Sequence, residues 1–190
     1  MVTANLMDRP LTAADLSDLP DDGMRYELIW GELHVSPAPE IRHQVAVANL
    51  MEILQAKITQ VGNGMVLSAP LDIQLDENNV VQPDLIVVSV ENRSAIQGAA
   101  FSGVPDLVVE VLSPTSRRRD FVLKSVLYAR NGVPEYWVVD PESERIHVYT
   151  LEGTAYAEQP TSDGIVRSLM FPDVAVNPEN VFSLPEAMRS

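Results

Sequence analysis

Two carboxylates stand where the surrounding residues call for core side chains. Asp84 interrupts Val80-Val81-Gln82-Pro83-Asp84-Leu85-Ile86-Val87-Val88, and Glu110 interrupts Leu107-Val108-Val109-Glu110-Val111-Leu112. Burying an ionised carboxylate costs several kcal/mol unless a cation or hydrogen bonds offset it. Two such acids on neighbouring strands, in a chain without cysteine, suit a hard cation. Mg²⁺ prefers oxygen ligands, takes one or two protein carboxylates and keeps several waters. The competing reading is that each acid caps a loop or pairs with an arginine. A third candidate, Lys124, lies in Asp120-Phe121-Val122-Leu123-Lys124-Ser125-Val126-Leu127-Tyr128, beside Leu123 and Leu127, a position that can turn it toward the sheet. Alternatively it is a solvated partner of Asp120, in a pair worth only a few tenths of a kcal/mol.

The elements that must position these groups follow from periodicity. Residues 11–22 read as a short helix or turn, with Thr12 and Asp15 in a capping-like arrangement. Tyr26-Glu27-Leu28-Ile29 and Glu32-Leu33-His34-Val35 flank Trp30-Gly31 as a hairpin. A helix is predicted over residues 40–59, because Val47, Leu50, Met51, Leu54 and Ile58 recur at spacings of three and four. His43 falls on that inward stripe and is a further site candidate, although such a histidine also serves as a structural group; Glu27 has the same status. Residues 65–75 read as a strand interrupted or bent at Pro70, and residues 80–90 and 107–112 as central strands buried on both faces. A second helix spans 116–130 and stops at Asn131-Gly132. Residues 135–139 and 145–151 form another hairpin, and 153–190 provide irregular cover. His34 and His147 fall in outer-strand patterns and are expected at the surface. Tyr136 and Trp137 fit a core strand, which would also suit a homodimer interface.

Composition bounds the answer. The 190 residues are 46% hydrophobic, enough for one packed domain over 1–190, with its core at about 24–152. The lack of cysteine excludes disulfides, thiolate zinc sites and a cysteine nucleophile. Gly-rich phosphate loops, zinc-ligand spacings and a nucleophile elbow are absent from the sequence. No signal-peptide pattern or long apolar run is present, so the expectation is a soluble cytoplasmic protein with no membrane role. A net charge of −14 argues against nucleic-acid binding. A divalent cation nevertheless inverts the sign of a carboxylate cluster, and Arg117, Arg118 and Arg119 concentrate positive charge at one place.

The combination P-D-L-I-V-V at 83–88, P-D-L-V-V-E-V-L-S-P-T-S at 105–116 and D-F-V-L-K-S-V-L-Y-A-R-N-G-V-P-E-Y-W-V-V-D-P at 120–141 resembles the Uma-type putative restriction endonuclease family of the PD-(D/E)XK nuclease superfamily. Y-E-L-I-W-G-E-L at 26–33, F-P-D-V-A-V at 171–176 and Val181-Phe182 extend the resemblance over about residues 11–182. It implies an α/β (mixed α+β) fold: a restriction-endonuclease-like central mixed sheet flanked by helices, with an added N-terminal hairpin. It also implies metal-dependent hydrolysis of DNA, with Mg²⁺ or Mn²⁺ held by Asp84, Glu110 and the Val111 backbone carbonyl. The parent motif would put lysine at position 112, where this chain has Leu112. By the resemblance the following helix supplies it as Lys124. Arg117 to Arg119 would contact phosphates. Two other readings stay open: a non-catalytic protein-interaction module on the same fold, which the acidic composition suits, and a hydrolase of smaller phosphate esters.

Overall fold

The computed structural model describes residues 9–20, 22–97, 100–101, 103–113, 119–161, 163–184 and 188. The chain begins with α1 (Ala13–Leu16), where the Asp15 carboxylate accepts from the Thr12 N–H and hydroxyl, both at 2.8 Å. The hairpin of β1 (Arg25–Ile29) and β2 (Glu32–Ser36) follows. Its two turn residues, Trp30 and Gly31, have φ of 56° and 75°, the conformation a two-residue turn needs to match strand twist. Glycine is required at 31 on space as well, since a Cβ there would lie 2.5 Å from that of Pro10. Trp30 is held by its N–H on Asn79 Oδ1 at 2.7 Å and by Arg130 over its ring.

The helix α2 (Ile41–Leu54) runs on through a wider π turn, Gln55–Thr59, and buries His43, Ala46, Leu50, Leu54 and Ile58 at helical spacing. Next come β3 (Gly64–Ser68), β4 (Ile73–Asp76), β5 (Asn79–Val81) and β6 (Leu85–Ser89). The first stretch, 65–75, is thus interrupted at Pro70, and the long strand expected over 80–90 is broken in two. The chain changes sheet at Ala69-Pro70 and again at Gln82-Pro83-Asp84, where proline removes a ladder donor. Asp84 thus sits at a junction between strands and not within one. The short β7 (Ile96–Gln97) and β8 (Ala100–Phe101) pair with each other, and β9 (Leu107–Val111) follows.

A π-helical stretch, Arg119–Lys124, leads into α3 (Ser125–Arg130), which stops at Gly132 in the left-handed region. The strands β10 (Glu135–Asp140) and β11 (Arg145–Glu152) form the second hairpin. The C-terminal stretch is more regular than expected. It supplies β12 (Ala155–Glu158), the small pair β13 (Val166–Arg167) and β14 (Ala175–Val176), and α4 (Pro178–Phe182). Glu135 ties it to the sheet: one carboxylate oxygen accepts from Leu169 N–H at 2.7 Å and Met170 N–H at 2.9 Å, the other from Trp137 Nε1 at 2.6 Å.

The main sheet has six strands in the order β12-β11-β10-β9-β6-β3, antiparallel except for β9 beside β10, and the second has four antiparallel strands, β2-β1-β5-β4. This is a mixed α+β fold, and the added hairpin belongs to the second sheet. Helices cover both faces of the main sheet. Leu85, Val87, Leu107, Val109, Val111, Trp137 and Val139 pack with α2 and the C-terminal segment. Ile86, Val88, Val108, Leu112, Tyr136 and Val138 pack with α3 and the second sheet. Tyr136 and Trp137 are fully buried, so they are core and not a dimer surface. No helix among the described residues is long and apolar enough to cross a membrane.

Candidate active site

Strand alternation decides which way Glu110 faces. Successive side chains of a strand point to opposite sides, so Glu110 shares its face with Val108 and Leu112, on the α3 side. The pairing of β6 with β9 matches Leu85 to Val109. One further step in that register sets Asp84 against Glu110, and the Asp84 carbonyl still accepts from Ala69 N–H at 3.1 Å. Across the site runs β1, whose Arg25 and Glu27 are two residues apart and so share one face. The sheet junction thereby gathers groups from five elements.

Asp84 is buried and fully engaged. Its Oδ1 accepts from Arg25 Nη2 at 3.0 Å; its Oδ2 accepts from Val111 N–H at 2.8 Å and lies 3.1 Å from His43 Nε2. Burial pushes this carboxyl up, but His43, Arg25 and the Val111 N–H together bring it below the usual aspartate value. The carboxylate is therefore ionised and accepts only, which assigns the His43 proton to Nε2. His43 Nδ1 is buried and finds no hydrogen-bond partner among the described residues.

Lys124 is 0% exposed, with its ammonium 2.7 Å from Glu27 Oε1 and 2.7 Å from Glu110 Oε1. The solvated Asp120 pair is thus not the place of this lysine. It lies where the π-helical stretch passes into α3, and such wide turns recur at functional sites. One helical turn on, the Tyr128 hydroxyl donates to the same Glu110 oxygen at 2.7 Å. Burial first, and then the Glu110 charge it donates to, hold the Tyr128 hydroxyl well above its ordinary value, so it keeps its proton. Glu27 Oε1 also accepts from Gln82 N–H at 2.9 Å.

The donor chemistry fits a hard divalent cation. Three carboxylates, Asp84, Glu110 and Glu27, face two fixed cations, Arg25 and Lys124, among the described side chains. No group of three or more His, Cys, Asp or Glu among the described residues could hold a metal. A cation here would rest on Asp84 and Glu110 with backbone oxygen and water, which is how Mg²⁺ is usually bound. Arg25 would have to yield Asp84 Oδ1 to it. A cleft of about 260 Å³ opens beside His43 at the carboxyl ends of β9 and β10, lined also by Arg42, Leu112, Ser113 and Asp140. Asp84 and Glu110 line neither this cleft nor the larger ones of about 580 and 470 Å³.

Comparison with known proteins bears on the family and the fold. The profile of the Uma2 family, described as "Putative restriction endonuclease", matches residues 13–179. The chain belongs to the Uma2 family. A crystal structure described as a "putative nuclease belonging to DUF820" from Anabaena variabilis ATCC 29413 is similar over 91% of this chain and 98% of that one, with a TM-score of 0.76. At 17% identity that likeness establishes the fold. No curated protein matches.

In this Uma2 chain the structure brings Asp84, Glu110, Lys124, His43 and Glu27 into one cluster. Val111 enters it through its N–H. Arg117 and Arg118 lie outside the described residues, as does the side chain of Arg119. Sequence reasoning missed Arg25 and Tyr128. The signals were present: Arg25 shares a strand face with Glu27, and Tyr128 lies four residues beyond Lys124, on the same helix face.

Proposed function

We propose that this protein is a divalent-cation-dependent endonuclease that hydrolyses DNA phosphodiester bonds at the cluster of Asp84, Glu110 and Lys124. The observation that carries the reading is the fully buried Lys124 ammonium between two glutamates. A structural core would gain as much from apolar residues of similar volume, so a charged set of this kind suits chemistry. Asp84, Glu110 and the Val111 carbonyl would hold Mg²⁺ or Mn²⁺, which when bound activates water and offsets negative charge on the phosphate. Val111 N–H and His43 fix the orientation of the Asp84 carboxylate. Tyr128 fixes Glu110 in the same way. Lys124, sharing the Glu110 oxygen, would orient the attacking water and neutralise charge that develops on the phosphate oxygens.

The test is nicking of supercoiled plasmid at low salt with Mg²⁺ or Mn²⁺, comparing wild type, Glu110→Gln and Lys124→Ala. Cation-dependent nicking by wild type, reduced at least about 10²-fold in each variant while the fold persists, is the expected result. Equal cutting by the variants, or none by wild type, would overturn it. A second reading, a protein-interaction module, draws on the outer surface of the helix carrying Lys124, where Phe121, Val122, Leu123 and Val126 are exposed. Inactive wild type would favour that reading.

A further inference from the structure

Resting on the nuclease reading, we propose that Arg25 is the residue with which the site takes hold of a nucleic-acid phosphate, and that it exchanges Asp84 Oδ1 for that phosphate. Among the described residues three basic side chains touch the acids, and they differ in what they have left to offer. Lys124 is fully buried and committed to Glu27 and Glu110. His43 has its Nε2 on Asp84 and its Nδ1 buried. Arg25 is the most exposed of the three, with 22% of its side chain exposed against 7% for His43 and 0% for Lys124. Among the described residues only its Nη2 is engaged, in a single 3.0 Å bond to Asp84 Oδ1. The guanidinium is a planar fork of five donors that matches two phosphate oxygens at once.

The partners of Asp84 make the exchange feasible. Its second oxygen keeps Val111 N–H and His43 after Arg25 leaves, so the carboxylate holds its orientation and Oδ1 becomes available to a cation. Arg25 thus stands in for that cation until substrate arrives. Its backbone stays fixed by the pairing of β1 with β2, Arg25 to Ser36, so only the side chain need move. Burial alone would lower the Arg25 guanidinium, but the nearby Asp84, Glu110 and Glu27 charges more than reverse that, and an arginine stays cationic in proteins.

The experiment is binding of a fluorescein-labelled duplex, and separately of pyrophosphate, to wild type, Arg25→Gln and Arg25→Lys in Ca²⁺, with salt varied and thermal unfolding run in parallel. The expected result for Arg25→Gln is about tenfold weaker duplex binding, with the slope of log affinity against log salt reduced by about one. Arg25→Lys should regain the salt slope but not the full affinity, because a point charge lacks the fork. Wild-type affinity and slope in Arg25→Gln, even with a lowered melting temperature, would make Arg25 a structural partner of Asp84 and overturn the proposal while leaving the nuclease reading in place. Arg25-dependent binding of pyrophosphate without duplex binding would support the phosphate assignment and remove DNA as the substrate. Wild type that binds neither probe would overturn both.

Discussion

Replacing Lys124 with methionine tests the central geometry without reference to activity. The substitution keeps an unbranched side chain of similar length but leaves Glu27 and Glu110, 0% and 1% exposed, without the ammonium they share. Removing one member of a buried ion pair costs about 3–5 kcal/mol, since the other charge stays buried and uncompensated. Glu27 keeps the Gln82 N–H and Glu110 keeps the Tyr128 hydroxyl. The lower part of that range, about 3–4 kcal/mol, is therefore expected. At about 2–4 °C per kcal/mol for a chain of this size, the melting temperature should fall by about 6–16 °C. Urea unfolding at neutral pH, with an unchanged m-value, gives the free energy directly. A loss below about 1 kcal/mol, as for an exposed pair, would refute the buried bridge. The double variant Glu27→Gln/Lys124→Met removes one of the stranded charges and should be more stable than Lys124→Met alone. Strict additivity of the two single losses would show that Glu27 and Lys124 do not interact.

Three further outcomes follow from the same contacts. Tyr128→Phe removes one charge-assisted bond to buried Glu110 and should cost about 1.5–3 kcal/mol by urea unfolding; no loss would mean that Glu110 does not depend on this bond. Asp84 has a carboxyl lowered in the folded state, so its stabilisation is complete above the ordinary value of 3.8 and is lost as pH falls through the folded value. Wild type should thus lose stability below about pH 4 more steeply than Asp84→Asn, and matching pH profiles from neutral pH to about pH 3 would contradict this. Glu135→Ala strips the acceptor from Trp137, Leu169 and Met170, and should cost at least about 3 kcal/mol while raising amide exchange at 169 and 170. Unchanged exchange there would mean that the C-terminal segment is held by its apolar contacts alone.

Much of the fold was legible because its signals are local. Helical spacing from His43 to Ile58 set the buried face of α2, and Trp30-Gly31 marked the hairpin turn. Strands covered on both faces read as unbroken apolar runs, which is why Asp84 and Glu110 stood out. Periodicity could not show that the two stretches, 65–75 and 80–90, each divide between sheets, since Ile73 and Val81 are as buried as Val66 and Leu85 and the apolar pattern continues across each break. Pro70 and Pro83 were the available clues, and each lies at a point where the chain leaves one ladder for another. Arg25 and Tyr128 were missed for a different reason: an arginine at a strand edge and a tyrosine on an apolar helix face each have an ordinary explanation. Only tertiary contact with Asp84 and Glu110 distinguishes them.

The division of strands between sheets also explains how so acidic a chain builds this cluster. An unbroken strand through residues 80–90 would have placed Asp84 inside one sheet, with its neighbours fixed by that ladder alone. Because the chain leaves β5 at Val81 and enters β6 at Leu85, the Asp84 side chain lies between the sheets. There β1, which pairs with β5 through Leu28 and Val80, presents Arg25 to Asp84 and Glu27 to Lys124 from one strand face. The net charge of −14 belongs to the molecule as a whole, whereas each charge in the cluster has an opposite charge within about 3 Å, the range in which direct pairing outweighs the distant, salt-screened field. A phosphate reaching the site would therefore meet a local arrangement ordered by β1, with Arg25 at its solvent edge and Lys124 behind it.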